Sequence, residues 1–262
     1  MSEPFARRRS LGDFVATEGQ SIVEACTRCG ECVRACPVLP FGAGADALPD
    51  RVAGGIIDLL ASGRPLSETS AAWLETCNGC GLCIPVCPEQ INPRKMIALA
   101  AARAAQSASK TPDLFRRMSR AVKIMAGMQL LPDEFKRVFS PPRERKADLV
   151  FYLGCNALRT PHLLFNSMAV LDALGADYAV VGGPSSCCGV IATKWEGRIE
   201  IGERDTNNTM INRFNGFRPD KVLNRCPTCQ LHLDETLSGY RSTNYELDHL
   251  TEYLVANIST LR

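Results

Sequence analysis

Thirteen cysteines set the chemistry available to this 262-residue chain, and eight of them fall in two copies of one pattern. Cys26, Cys29, Cys32 and Cys36 run into Pro37; Cys77, Cys80, Cys83 and Cys87 run into Pro88. Both stretches read C-x2-C-x2-C-x3-C-P. Three thiolates two residues apart can wrap three corners of one four-iron, four-sulfide cube. The fourth, after a longer step and before a helix-breaking proline, points elsewhere. The spacing therefore predicts crossed ligation, with Cys26, Cys29, Cys32 and Cys87 on one cluster and Cys77, Cys80, Cys83 and Cys36 on the other. Zinc sites use pairs of ligands more often than runs of four closed by proline.

The remaining five cysteines are Cys155, Cys187, Cys188, Cys226 and Cys229, spaced C-x31-C-C-G-x36-C-x-x-C. Adjacent cysteines followed by glycine are unusual. Gly189 frees the turn that lets neighbouring thiolates face one metal centre. Five soft donors around one point suit iron–sulfur and, less well, zinc. The two sets together leave no cysteine over, which argues for metal ligation in a reducing compartment and against disulfides.

The elements that must hold these thiols change character along the chain. Residues 1–22 read as a polar arm leading into a short helix. Between the two cysteine runs, Val52–Leu60 has apolar residues at helical spacing, and Ser67–Thr76 is a second helical stretch that starts with capping chemistry at Ser67. Pro93–Lys110 is alanine-rich and Pro112–Met128 reads as another helix. This predicts an α-helical ferredoxin domain over residues 1–142, not a flat two-hairpin one. The stretch from Pro141 to Lys146 reads as a linker. Beyond it come a strand at Ala147–Leu153, a helix at Pro161–Leu174 ended by Gly175, and a strand at Asp177–Val181. A helix at Trp195–Phe214, a strand at Lys221–Asn224, a helix after Cys229 and a last helix at Leu247–Ile258 follow. Such alternation predicts an α/β domain over residues 147–262 with a mainly parallel sheet, so the fold class is α+β multidomain. Sites in such sheets gather at the carboxyl ends of strands. Cys155, the Cys187-Cys188 pair and Cys226/Cys229 each follow a strand, so they should converge on one edge.

The set Cys155…Cys187-Cys188-Gly189…Cys226-Pro227-Thr228-Cys229, led in by Phe151-Tyr152-Leu153-Gly154 and trailed by Gln230, resembles the cysteine-rich CCG domain of heterodisulfide reductase-like proteins. The amino-terminal half resembles the small iron–sulfur subunit of the same system, itself related to the helical ferredoxin domain of succinate dehydrogenases. The resemblance covers about residues 14–258. It implies two cubane 4Fe–4S clusters and, on the five CCG cysteines, a non-cubane 4Fe–4S cluster that binds and cleaves a disulfide. Related proteins of lactate and glycolate oxidation and of sulfur metabolism share the domain. The family's catalytic subunit normally has two CCG domains and this chain shows one. The resemblance therefore implies partner redox subunits, and either one of them supplies a second CCG domain or a flavin, or this chain has shed the symmetrical site. Crowding supports a distorted cluster: Cys187 and Cys188 start about 3.8 Å apart at Cα across a rigid peptide, awkward for two corners of a regular cube.

Three functions fit these residues. In the first, the chain is an iron–sulfur subunit of a heterodisulfide reductase-like complex that passes electrons between two cubanes and a CCG cluster handling disulfide/thiol chemistry. In the second, it is an electron-transfer subunit of a hydroxy-acid or sulfur-metabolism oxidoreductase with no substrate chemistry of its own. In the third, it is an adapter whose CCG site holds zinc. No phosphate loop, dinucleotide fingerprint or Ser/His/Asp set competes with these. His162, His232, His249 and Trp195 read as structural or surface residues; Lys194, Arg198 and Arg225 read as solvated surface or, alternatively, as holders of a substrate carboxylate.

A net charge of +2 marks no nucleic-acid binder. Residues 94–146 nevertheless carry 13 Lys/Arg against 4 Asp/Glu, which reads as a solvated helical face or as a docking surface for an acidic partner subunit or carrier. No apolar run approaches the roughly 18–20 residues that span a bilayer. Arg7, Arg8 and Arg9 precede no apolar core, so neither a secretory nor a twin-arginine signal is expected. The expected location is cytoplasmic, with any membrane association made through partners.

Overall fold

The computed structural model describes residues 10–42, 46–107, 114–139, 145–155, 160–183, 186–195, 210–237 and 243–261. The chain divides into two compact units, Met1–Thr111 with Ile191–Glu200, and Pro112–Val190 with Ile201–Arg262.

The first unit is helical. Ser10 opens α1 (Leu11–Ala25) with a capping box: its hydroxyl accepts from the Asp13 N–H at 3.0 Å, and the Asp13 carboxylate accepts from the Ser10 N–H at 3.2 Å. A short α2 (Glu31–Arg34) lies inside the first cysteine run. Pro49 sits in the first turn of α3 (Pro49–Ser62), and Gly63 closes that helix in a left-handed conformation. Ser67 caps α4 (Glu68–Thr76) by accepting from the Ser70 N–H at 3.2 Å, the cap expected from its sequence. Asn92 accepts from the Lys95 N–H at 3.0 Å at the start of α5 (Pro93–Ser107). The core between these helices contains Ile22, Val52, Ile56, Ile57, Trp73, Met96 and Ile97.

The second unit begins before the expected linker. Helices α6 (Leu114–Gln129) and α7 (Pro132–Phe139) belong to it, because Val122, Ala126 and Val138 are buried with Leu149, Phe151 and Leu153 of the central strand. That strand, β1 (Leu149–Gly154), is buried along its whole length. Helix α8 (Pro161–Ala173) leads to β2 (Tyr178–Gly182), and α9 (Asn212–Phe217) to β3 (Lys221–Asn224). Helix α10 (Pro227–His232) is followed by β4 (Glu246–His249) and α11 (Leu250–Ala256). The sheet order is β2-β1-β3-β4, with every neighbouring pair parallel. Alternate residues of β1 face opposite sides: Val150 and Tyr152 pack with Phe214 and Phe217 of α9, whereas Phe151 and Leu153 pack with Leu164, Met168 and Leu171 of α8.

The last helix was expected from Leu247, but Leu247, Asp248 and His249 pair with Val222, Leu223 and Asn224 as a fourth strand, and the helix starts at Leu250. Most of the helix expected at Trp195–Phe214 lies outside the described residues; within them, Asn212–Phe217 is helical.

Candidate metal centres

The two cysteine runs of the first unit share their turns, although the first contains the short α2 and the second has no helix. Each enters from a helix end in extended conformation, Cys26 after α1 and Cys77 after α4. Arg28 and Gly79 occupy the same place in the pattern and both are left-handed, with φ of 60° and 76°; Gly30 and Gly81 likewise have φ of 79° and 80°. The turns close alike: Val33 donates to the Gly30 carbonyl at 3.0 Å and Ile84 to the Gly81 carbonyl at 2.9 Å. The fourth thiols are fixed by Cys36 N–H to Val33 O at 3.1 Å and Cys87 N–H to Ile84 O at 3.2 Å.

This repeated loop surrounds two cavities. Cys26, Cys29, Cys32 and Cys87 line one, with Pro88, Ala53, Ile91 and Met96. Cys36, Cys77, Cys80 and Cys83 line the other, with Pro37, Trp73, Ile97 and Arg94. Cys32 borders both. Each cavity thus offers four soft donors against a largely apolar wall, the donor set that iron–sulfur chemistry needs. Burial pushes Cys26 up, Cys83 to about 11 and Cys32 to about 12, and neighbouring thiols add to the rise. These groups hold their protons in the free protein, so ligation must release them.

Supports around the loops escaped the reading of the sequence. Asp58 on α3 pairs with Arg28 and Arg64, both at 2.8 Å, and so pins the first loop. Arg94 reaches the Gly79 carbonyl at 3.5 Å over the second loop. Trp73, buried on α4, stands one helical turn before Cys77; that i, i+4 spacing is the signal by which it could have been found.

In the second unit the other five thiols lie just beyond the carboxyl ends of three adjacent strands. Cys155 follows β1, Cys187 and Cys188 follow β2, and Cys226 and Cys229 follow β3 at the start of α10. They touch in a continuous chain, Cys155 to Cys187 to Cys188 to Cys229 to Cys226. Cys155, Cys187, Cys188 and Cys229 are buried and Cys226 is half-buried. Gly154 bends the chain beside them with φ of +74°, and Gly189, at +83°, donates its N–H to the Cys187 sulfur at 3.4 Å. Donation from Cys187 and then from Cys229 lowers the Cys188 pKa, and donation from Cys229 brings Cys226 to about 6. Cys155 and Cys229 are raised by the same contacts and by burial. At Cys187 the contact with Cys155 lowers the pKa, but the bond to Cys188 and burial outweigh it.

The lesser candidates fare differently. Arg225 directly precedes Cys226; it is half-buried, and burial lowers its pKa. His249 ends β4 instead of occupying a helix; its Nε2 donates to the Arg225 carbonyl at 3.2 Å and its Nδ1 lies 2.8 Å from Thr251 Oγ1. His162 is exposed on α8 and His232 lies on α10. Lys194 and Trp195 end a short π-helical turn, and Arg198 is outside the described residues. In the basic stretch, Lys95, Lys136, Arg137 and Arg145 pair with Glu18, Asp133, Asp172 and Asp177. Arg117, Arg120 and Lys123 on α6 are exposed, with no ion pair among the described residues.

The sequence matches the model of a 4Fe-4S dicluster domain over residues 21–91 and that of a cysteine-rich CCG domain over residues 149–234. The chain is therefore an iron–sulfur protein of two modules, a dicluster module and then a CCG module. Its curated relatives narrow that class. It is similar to the D subunit of the dihydromethanophenazine:CoB–CoM heterodisulfide reductase of Methanosarcina barkeri, 26% identical over 258 residues that cover 88% of this chain and 62% of the relative. The corresponding protein of Methanosarcina acetivorans is 24% identical over the same coverage, and that of Methanosarcina mazei is 25% identical over 79% of this chain and 56% of the relative. The chain thus resembles these heterodisulfide reductase D subunits, and it spans about 62% of the length of the first of them. No solved structure matches it. Among the described residues no helix is long and apolar enough to cross a membrane.

Proposed function

We propose that the chain is an iron–sulfur subunit of a heterodisulfide reductase-like complex. On this reading, Cys26, Cys29, Cys32 and Cys87 hold one cubane, Cys77, Cys80, Cys83 and Cys36 a second, and the five CCG cysteines a non-cubane cluster. The balance is one disulfide, two electrons and two protons against two thiols, in either direction, with partner redox subunits as electron donor or acceptor. Bound in these sites, the clusters would supply one-electron transfer at the two cubanes and thiol–disulfide redox chemistry at the third. The chain's own residues hold the thiols in register, keep water from the four buried ones and leave Cys226 nearest the surface. The observation that carries the reading is the contact chain of five thiols at the ends of three parallel strands, in the same chain as two four-thiol cavities. Relatives named as reductase subunits support the expectation of partners.

The burial of four of the five CCG thiols favours one competing reading, in which the third centre relays electrons without meeting substrate. Metal analysis and thiol assay separate the cases. Protein purified without oxygen should hold about twelve irons and no stoichiometric zinc; eight irons with one zinc would remove the redox role of the CCG site. Cys188→Ala should leave both cubanes reducible but abolish thiol release by the assembled complex. Full turnover with an altered third centre would replace this reading with the relay.

A further inference from the structure

Helix α6 carries its charges the wrong way round for a helix standing alone. A helix favours anions at its amino end and cations at its carboxyl end, yet the first turn of α6 holds no acid and its last turn no base. Arg117 lies in that first turn and Arg120 in the next. Both are exposed, and neither pairs with a carboxylate among the described residues. The acids stand at the other end. Just past the helix, the Glu134 carboxylate accepts from the Leu131 N–H at 2.8 Å, and the side chain of Asp133 is 99% exposed, with Lys136 at 3.9 Å.

An apolar seam joins these two ends. Ile124, Met128 and Leu131 are 64%, 82% and 68% exposed. From Arg117 through Arg120, Ile124 and Met128 to Leu131, the residues succeed one another at steps of three and four, so they form one stripe. Gly127 lies on the same stripe, and a Cβ added there would meet nothing within 4 Å. Among the described residues no neighbour requires a glycine at that point, and glycine weakens a helix relative to alanine. A narrow seam with a gap in it fits one further helix, closely packed, and not a broad surface.

We propose that this outer stripe of α6 is a two-fold interface at which a second copy of the chain docks, the two α6 helices antiparallel. With the axis between Met125 and Ala126, Ile124 of each copy falls opposite Gly127 of the other, a large side chain over a gap. Arg117 and Arg120 of each copy then reach the end where the other carries Asp133 and Glu134. There they also meet the negative end of the facing helix, the place its dipole favours for cations. The charge order that does not suit one helix suits the pair. One helix seam is small beside the roughly 1,200–2,000 Å² of a stable interface, so the dimer is weak and forms at about 10–100 μM chain. The proposal is independent of the thiol–disulfide reading.

The test uses the full chain with its clusters, reduced and without oxygen, so that no disulfide joins two copies. Sedimentation velocity follows it from about 1 to about 300 μM, a range that brackets a weak interface. The native protein should pass from monomer to dimer, and added salt should weaken the dimer. Ile124→Ala should raise the dissociation constant about tenfold or more and leave the melting temperature of the dilute monomer unchanged. Gly127→Ala should also weaken the dimer while raising the monomer's melting temperature, because alanine is the better helix former. A seam that served only the monomer would give the opposite pattern, with lower melting and no change in association. Charge pairing has its own readout. Arg117→Glu and Asp133→Arg chains should each dimerise more weakly than the native chain, and a mixture of the two should recover dimer, because the reversed ends then match. A native chain that stays monomeric over the whole range overturns the proposal. So does a dimer that none of these variants weakens, or a mixture that associates no better than its components.

Discussion

Tyr152 donates its hydroxyl to the Ser186 carbonyl at 2.7 Å, and both residues are fully buried. Tyr152 stands three residues before Cys155, and Ser186 immediately precedes Cys187, so one hydrogen bond ties the strand end of the first thiol to the loop of the paired ones. Phe214 sets the ring edge-on at 5.1 Å. Burial raises the hydroxyl pKa well above its ordinary value, so the group stays a donor. Tyr152→Phe leaves a buried carbonyl without this donor, a loss of about 1–3 kcal/mol. The expected outcome is a lower denaturation midpoint for the second unit and poorer assembly of the third centre, with dicluster spectra unchanged. Native stability and native third-centre iron in the variant would show that the tie is dispensable.

The cavity linings make a second prediction. Cys36 belongs in sequence to the first run but lines the cavity of Cys77, Cys80 and Cys83, and Cys87 lines that of Cys26, Cys29 and Cys32. Cys36→Ala should therefore damage the cluster of the second run and spare that of the first. Paired variants Cys29→Ala and Cys80→Ala supply the reference spectra for loss of each cluster. If Cys36→Ala reproduces the Cys29→Ala spectrum, the ligation is not crossed.

The cysteine patterns were readable because cluster geometry dictates spacing over a dozen residues, a distance that sequence preserves. Strands β1 to β3 were readable because buried parallel strands are apolar runs. The fourth strand was not. Glu246-Leu247-Asp248-His249 is a half-exposed edge with one apolar residue, and its state is set by pairing with β3 and by Lys221, which bonds Glu246 at 2.6 Å and Asp248 at 2.9 Å. Helix α6 was recognisable as a helix and α7 was not singled out; the core they join is a three-dimensional fact that periodicity does not carry.

Helix α6 offers a test of its assigned face. Val122 and Ala126 are 3% and 1% exposed, whereas Ile124 and Met128 are 64% and 82% exposed. Residues two apart on a helix lie on roughly opposite sides, so this helix is apolar both inward and outward. Val122→Ala empties space against Leu149, Phe151 and Leu164 and should cost about 2 kcal/mol. Ile124→Ala should stay within about 0.5 kcal/mol of native. Chemical denaturation of the two variants distinguishes the faces; equal losses would mean that α6 does not pack as described.

Gly154 allows the sharpest perturbation of the third centre. It ends β1 in the left-handed region, where a side chain costs about 1–2 kcal/mol. A Cβ there would also stand 3.3 Å from the Cys229 sulfur and 3.4 Å from the Cys226 Cβ. Gly154→Ala thus acts on the backbone before Cys155 and crowds the two thiols after β3, without altering a single sulfur. The variant should load both cubanes normally and lose iron from the third centre, read by iron content and by spectra taken with the cubanes reduced. Asn is more tolerant of the left-handed region, so Gly154→Asn relieves part of the strain while still adding the Cβ. Equal damage in the two variants would assign the effect to crowding of the thiols, and a milder asparagine variant to strain. Full third-centre iron in both would mean that the five thiols do not need this turn.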